Sequence, residues 1–409
     1  MLYEIESGFL DEELEQKHLL SSFNPRHNKI FIFLSIFALT SFTVFNYFYR
    51  RVMFFHSIEI SISLQKIPMY YLQLMASYFY FPMLMCYFII IFFLRKNRMN
   101  ACYLMGCYFF LAWSQSMIKL VELDSRPSFE STELQSGGFF CENDYGSPSG
   151  HSFLTSTLTP FIIDDLDRKK LRLSSFLKFL LCGISWAFVA VSRLWFGVHS
   201  YNQIISGMLW GTTLYLILRT IKPFVFSFFL SLLISKDDNT SDRNNLLRVR
   251  TSHLLQSKEF IFKFFLILMV FNIPLMTLFY FAREGEEINQ PFFKRIVNCT
   301  SVKEPIYMGF STKIFIQGFI INLFLFMLLG AKTSYYDFFK GTQFSLNSRK
   351  RNQLLKLSII VFVFSLIVFV SHPLPSSGAE QIIRALVVFP GLGFMIGKYL
   401  ISLFSCLGI

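Results

Sequence analysis

Three short clusters of polar and basic residues, each set against a hydrophobic span, carry the residue types that can do chemistry. They are Lys119 with Arg126-Pro127, the run Gly146-Ser147-Pro148-Ser149-Gly150-His151, and Ser192-Arg193 followed by His199. Together they hold three cations, two imidazoles and a glycine-rich turn. That inventory suits holding a phosphate dianion and moving its phosphorus to a histidine. Arg offers a bidentate fork to phosphoryl oxygens where Lys offers a point charge. Two histidines can divide a hard hydrolysis between a nucleophile and a proton donor. No DxD, HExxH or carboxylate cluster stands in these loops to hold Mg²⁺ or Zn²⁺, so metal-independent chemistry without a cofactor is expected.

Taken singly, each cluster also has an ordinary explanation. A Lys at the end of a span, such as Lys119, commonly snorkels to the interface, and Arg126 alone reads the same way. Ser-Pro-Ser-Gly is good N-cap and loop composition. It also places backbone N–H groups near Ser149 and Gly150 at a helix N-terminus, where anions bind. His151, just inside that helix, is an ionisable group at the membrane boundary, a functional candidate by position. A histidine in a tight loop, such as His199, can be simply hydrated. Arg193, however, interrupts the apolar run AFVAVSRLWFGV, where a charge is costly unless partnered. All three clusters on one membrane face argue for a shared pocket.

The elements that must position these groups are membrane helices. The 409 residues are 53% hydrophobic and only 16% charged, well below the roughly 25% of soluble domains. Apolar windows of bilayer-crossing length predict about ten spans: 30–48, 69–94, 101–118, 150–166, 174–191, 202–220, 259–281, 312–330, 354–372 and 381–405. The stretch 224–235 is too short to cross alone and either extends the sixth helix or lies in the interface. The expected fold is all-α, a polytopic transmembrane bundle with a six-helix core followed by further C-terminal helices. Four regions follow: a cytoplasmic tail 1–29, a catalytic transmembrane core 30–221, an interfacial segment and linker 222–258, and C-terminal spans 259–409 without recognisable chemistry. The polar, acid-rich first 29 residues do not read as a cleavable leader.

The 53 Phe suit lipid contact and require no cofactor. The net charge of +12 lies in loops rather than in a stripe or stacking platform, which argues for orientation in the membrane and against nucleic acid. Arg95, Lys96, Arg98, Arg168, Lys169, Lys170 and Arg172 sit on one side, with Arg243, Arg248, Arg250, Arg349, Lys350 and Arg351. On the opposite side, loops 119–149 and 192–201 hold only Lys119, Arg126 and Arg193, so both termini are expected in the cytoplasm and the polar clusters in the lumen. The sequon Asn298-Cys299-Thr300 falls on the luminal side, whereas Asn239-Thr240-Ser241 falls in the cytoplasmic linker. Of the seven Cys, Cys86, Cys102, Cys107 and Cys182 read as small apolar residues inside spans. Cys141 and Cys299 share the oxidising side, as a pair or as free thiols. Cys406 closes a prenylation-like CLGI string too near a span to count.

Lys119-x6-Arg126-Pro127, Pro148-Ser149-Gly150-His151 and Ser192-Arg193-x5-His199 resemble the three-part signature of the type 2 phosphatidic acid phosphatase (PAP2) superfamily. That group includes lipid phosphate phosphatases, sphingosine-1-phosphate phosphatases, glucose-6-phosphatase and vanadium-dependent haloperoxidases. The resemblance covers about residues 100–215. It implies that His199 attacks phosphorus to form a phosphohistidine, and that His151 protonates the leaving alcohol and later activates water. Lys119, Arg126, Arg193, Ser149 and the Gly150 amide would hold the phosphoryl oxygens, with Pro127 and Pro148 shaping the turns.

Many members have an Asp four residues after the nucleophile, and here that position is Gln203. A Gln carbonyl can accept the Nδ1–H bond but brings no charge. Glucose-6-phosphatases look similar there. The span arrangement and GVHSYNQ resemble the sphingosine-phosphate group. A lipid phosphate is therefore the expected substrate, with a sugar phosphate as the alternative. A transporter or structural membrane protein retaining a phosphate pocket stands as a third possibility. The resemblance implies the endoplasmic reticulum, with an endosomal, vacuolar or plasma membrane as alternatives. Glu15-x3-Leu19-Leu20 resembles an acidic dileucine signal. Nothing in the sequence specifies an oligomer.

Overall fold

The computed structural model of the chain describes residues 25–69, 98–131, 133–134, 144–166, 173–233, 258–288, 314–315, 317–333, 387 and 389–395. The expected spans 69–94 (beyond residue 69) and 354–372, the linker, both sequons, Cys141, Cys299, Cys406 and the dileucine string lie outside those residues.

The described residues form an all-helical bundle with no strand among them. In chain order the helices are α1 (Pro25–Gln65), α2 (Arg98–Glu122), α3 (Pro127–Glu130), α4 (Gly150–Leu166) and α5 (Ser175–Trp195). They continue with α6 (Tyr201–Leu233), α7 (Lys258–Ile288), α8 (Ile320–Thr333) and α9 (Phe389–Met395). Among the described residues five segments are long and apolar enough to cross a bilayer: Lys29–Gln65, Tyr103–Glu130, Ser175–Trp195, Tyr201–Val225 and Phe262–Arg283. These five are compatible with a multi-pass membrane protein. Ten spans were expected over the whole chain.

One boundary selects between two expected alternatives, and another differs from the expectation. Residues 224–233 continue the sixth helix, since α6 runs unbroken to Leu233 through Pro223. The first span does not stop at residue 48. The polar run Asn46–Arg51 interrupts the apolar window but not the helix, because Arg50 and Asn46 find partners across the bundle. The 37-residue apolar segment of α1 is about 56 Å long, well beyond a bilayer core of about 30 Å. Its outer part, where Met53, Phe54, Ser57, Ile58 and Ser61 are buried, covers the N-terminal end of α6.

Close backbone approach sets the centre of the bundle. Gly207 and Gly211, four residues apart on α6, face α4. A Cβ on Gly207 would lie 2.6 Å from the Ser149 carbonyl oxygen, and one on Gly211 only 2.3 Å from that of Phe153. This is the small-residue packing that membrane helices use where lipid gives no hydrophobic drive. The gap is then bridged by Thr157, whose Oγ1 donates to the Gly211 carbonyl at 2.8 Å. Buried Phe153, Leu158 and Phe161 on α4 complete a core with Leu104, Leu111, Phe319 and Phe324.

The C-terminal helices dock on the far side of α2. Gly106 accepts the ring of Phe324, Phe109 stacks on that ring at 5.6 Å, and Trp113 Nε1 donates to the Phe271 carbonyl at 2.9 Å. Gly318 packs against Leu275 and Ser116. Between α7 and α8, Asn272 and Asn322 exchange amide hydrogen bonds of 3.1 and 3.0 Å. Aromatic side chains on the outer faces of α1 and α5, among them Phe33, Phe37, Phe176 and Phe179, are exposed, as a lipid-facing surface requires.

Candidate active site

Four helix ends converge on one buried polar centre. Lys119 occupies the last turn of α2 and Arg193 the last turn of α5, where a cation complements the helix dipole. Gly150 opens α4, and His199 lies two residues before α6. Lys119, Arg126, Ser149, Arg193, His199 and Gln203 are all at most 2% exposed. His151, in the first turn of α4, is half-buried. Such burial of cations in a membrane-embedded bundle demands anionic or carbonyl partners.

Those partners come mainly from Asp144. Lys119 Nζ donates to its Oδ2 at 2.7 Å and to the Tyr145 carbonyl at 2.8 Å. Arg126 forks around the same residue: Nη2 bonds its Oδ1 and Nε its carbonyl oxygen, the latter at 2.9 Å. The Nη1 of Arg126 turns the other way, to the Val198 carbonyl at 3.0 Å and to His199 Nε2 at 3.1 Å. The Pro127 ring starts the short α3 at its first position, where no N–H is needed, and Ser128 N–H ties it to the Gly197 carbonyl at 3.0 Å. Gly197, with φ at 63°, supplies the left-handed turn between α5 and His199 that other residues resist.

The tautomer of His199 follows from its neighbours. Arginine has only donors, so the Nε2 beside Arg126 is the ring's acceptor nitrogen and the proton sits on Nδ1. Nδ1 faces Gln203 Oε1 at 3.4 Å. The Gln203 amide is fully used. Its Oε1 also accepts the Ser200 N–H at 3.2 Å, while Nε2 donates to Asp124 Oδ2 at 3.0 Å and to the Ser125 carbonyl at 2.5 Å. Reversing the amide would set donor against donor at Ser200, so the orientation is fixed by the network. Behind it, Asp124 forms an ion pair with Arg50 of α1.

The glycine-rich turn is locked to the same helix. Ser149 N–H donates to the Gln203 carbonyl at 3.0 Å, Ser152 Oγ bonds Ser149 Oγ at 3.1 Å, and Gly146 N–H reaches the Asp124 carbonyl at 2.7 Å. The Ser147–Pro148 peptide is cis, and Ser147 Oγ bonds Glu122. A Cβ on Gly146 would lie 2.5 Å from Gln203 Nε2, and one on Gly150 would lie 2.3 Å from Gln115 Nε2.

Residues 100–227 match the family model of the PAP2 superfamily. The chain carries a PAP2 superfamily domain. It extends from the start of α2 into the second half of α6, and so contains all three sequence clusters. A PAP2 domain implies phosphatase-type hydrolase activity, associated with a membrane. Neither the curated proteins nor the solved structures contain a match to the chain.

Within the PAP2 domain, hydrogen bonds and ion pairs join Lys119, Arg126, His199, Gln203 and Ser149 into one network through Asp144, Tyr145 and the Gln203 backbone. Arg193 and His151 stand at neighbouring helix ends, on α5 and α4. Sequence reasoning missed two members, Asp124 and Asp144. Both are acids directly beside the basic motifs, in ELDSRP and NDYGSPSGH, where nothing local distinguishes them from other loop carboxylates. It also missed a second role of Gln203. Ser200-x2-Gln203 is a capping-box string, in which the side chain at the third helical position reaches back to the N-cap N–H, as the Ser200 bond does here. Among the described residues no three His, Cys, Asp or Glu side chains group as a metal site.

Proposed function

We propose that the PAP2 domain makes this chain an integral-membrane, metal-independent phosphomonoesterase that dephosphorylates a lipid phosphate, of sphingoid-base or phosphatidate type, through a phosphohistidine on His199. The observation that carries this reading is the 3.1 Å contact between Arg126 and His199 Nε2, with Nδ1 turned to Gln203. It aims the unprotonated nitrogen of a neutral ring at the cation that would hold phosphate.

In this reading Nε2 of His199 attacks phosphorus in line with the ester oxygen. The P–O bond breaks while His151, as imidazolium, gives its proton to the departing alkoxide. His151 then takes a proton from water as that water attacks the phosphohistidine, and inorganic phosphate leaves. Lys119, Arg126, Arg193, Ser149 Oγ and the Gly150 N–H stabilise charge on the three equatorial oxygens. Lys119, Arg126 and Asp144 sum to a net charge of +1, and Arg193 raises it to +2, which matches a phosphate monoester dianion. A site built at helix ends meets a lipid headgroup at its own depth in the bilayer, and this favours a lipid over a soluble ester. Both termini would lie in the cytoplasm and the site in the lumen, with the endoplasmic reticulum as the expected compartment.

Gln203 beside His199 favours a second substrate class, a sugar phosphate, through its likeness to glucose-6-phosphatases. Purified protein would be assayed in detergent micelles on sphingosine-1-phosphate, lysophosphatidate and glucose-6-phosphate, with and without EDTA. Turnover of the lipids, blocked by orthovanadate and indifferent to EDTA, is the expected result. Hydrolysis of the sugar ester alone would transfer the site to the second class. Loss of activity in EDTA with recovery on Mg²⁺ would overturn the metal-free mechanism. The variant His199→Ala would abolish turnover and phosphate trapping, whereas a transporter or structural protein would be indifferent to it.

A further inference from the structure

Gln203 brings no charge to His199, yet the amide is interposed between the imidazole and a buried carboxylate. We propose that Asp124 is the positioning carboxylate of this site, acting on His199 through the Gln203 amide. The proposal rests on the reading of His199 as nucleophile.

Three observations carry it. First, the chain of contacts is continuous and polarised in one sense: Asp124 Oδ2 accepts from Gln203 Nε2 at 3.0 Å, and Gln203 Oε1 faces His199 Nδ1 at 3.4 Å. An amide whose N–H is drawn toward a carboxylate becomes a better acceptor at its oxygen, because the two ends share one π system. As Nε2 bonds to phosphorus the ring becomes cationic, and the Nδ1–H···O bond strengthens toward the carboxylate behind it. Second, Asp124 is 2% exposed, so its charge acts through protein rather than water. Third, the backbone is bent to put it there. Leu123 is the only non-glycine residue with positive φ among the described residues, at 47°. That conformation is costly for a branched side chain. It interrupts the helix at the end of α2, one residue before Asp124, whose carboxylate accepts from Gln203.

A competing role must be separated from this one. Asp124 also pairs with Arg50, and that pair could serve only to fasten α1. The discriminating design moves the charge rather than merely deleting it. The full chain in detergent would be assayed on para-nitrophenyl phosphate, a probe independent of lipid recognition, as wild type, His199→Ala, Asp124→Asn, Arg50→Gln and the double variant Asp124→Asn/Gln203→Asp. We expect Asp124→Asn to lower kcat about 10- to 30-fold with KM changed less than about 3-fold. That is the scale on which one charge acts across two hydrogen bonds at the effective dielectric of a protein interior, with Arg50 offsetting part of it. Arg50→Gln should cost less than about 3-fold, since it leaves the carboxylate in place. The double variant, with its carboxylate beside the ring, should recover to within about 3-fold of wild type.

Undiminished kcat in Asp124→Asn would overturn the proposal. So would equal losses in Asp124→Asn and Arg50→Gln with no recovery in the double variant, which is the signature of a fastening role. If Asp124→Asn does not fold, Gln203→Met keeps the Asp124–Arg50 pair and cuts the link, and a wild-type kcat there refutes the relay. A fully active His199→Ala, or no hydrolysis by the wild type of any phosphate ester, fails a step earlier. Those results overturn the nucleophile reading and the relay with it, whereas an inactive His199→Ala beside a fully active Asp124→Asn removes the relay alone.

Discussion

Gly146→Ala tests the geometry of the site without touching a charged or reacting group. The added Cβ would stand 2.5 Å from Gln203 Nε2, 2.6 Å from Oε1 and 2.8 Å from Cδ, where ordinary contact begins near 3.4 Å. About 0.9 Å must be found. A free Gln side chain would swing away at little cost, but this one is completely buried and held at both ends of its amide. If the amide moves, the 3.4 Å contact to His199 is the longest and is lost first, followed by one bond to Asp124 or Ser125. If instead the loop retreats, the 2.7 Å bond from Gly146 N–H to the Asp124 carbonyl breaks. Either path leaves about two buried polar groups unsatisfied, at about 1–3 kcal/mol each. We expect the variant to lose about 2–6 kcal/mol between folding stability and transition-state stabilisation. The assay is a thermal melt of the detergent-solubilised protein beside kcat and KM on para-nitrophenyl phosphate. A fall in kcat of about 10-fold or more, with KM little changed, is the expected pattern. An alanine variant that melts and turns over as wild type would refute the account of Gln203 as a pinned group.

Arg126→Lys keeps the charge but cannot reproduce a fork that reaches Asp144, Val198 and His199 at once. Its kcat/KM should fall by about 100-fold or more in the same assay. Gly211→Val would place Cβ 2.0 Å from Ser156 Oγ and 2.3 Å from the Phe153 carbonyl. Since backbone cannot yield as a side chain can, α4 and α6 must separate, and the melting temperature should drop by roughly 5 °C or more. Asn322→Leu takes the donor from Asn272 Oδ1, while Nδ2 keeps its 2.8 Å bond to the Leu268 carbonyl, and should destabilise by about 1–3 kcal/mol. The double variant Asn272→Leu/Asn322→Leu should melt closer to wild type than either single change, because no amide is then left alone.

What the sequence disclosed follows a physical division. Lys119, Arg126, His151, Arg193 and His199 stood out because ionisable side chains are expensive beside apolar spans, and Ser149 and Gly150 because turn residues open an apolar helix. Helix α4 was legible because an apolar run of that length has few alternatives, whereas the run after Pro223 fitted either a longer sixth helix or an interfacial segment, and α6 takes it to Leu233. The acids were not legible. Asp124 and Asp144 acquire their roles only from residues distant in the chain, Gln203 at 79 positions from Asp124 and Lys119 at 25 from Asp144, and a carboxylate in a loop looks like any other. The outer half of α1 was missed for a related reason. Polarity at Asn46 and Arg50 ends an apolar window, but it continues a helix when Asn202 and Asp124 wait opposite. Gly207 and Gly211 pass unnoticed in a span until the neighbour they admit is known.

The docking of α7 and α8 on the back of α2 has a genetic consequence. Lys119 is carried by the helix whose opposite side holds Phe109 and Trp113 against Phe324 and Phe271. A stop codon after α6 would spare every motif of the phosphatase signature, yet it would bare that aromatic strip to lipid tails and leave the Trp113 indole N–H without its carbonyl. Such an allele should behave as a loss of function through instability of the product, although a motif scan would score its reading frame as intact.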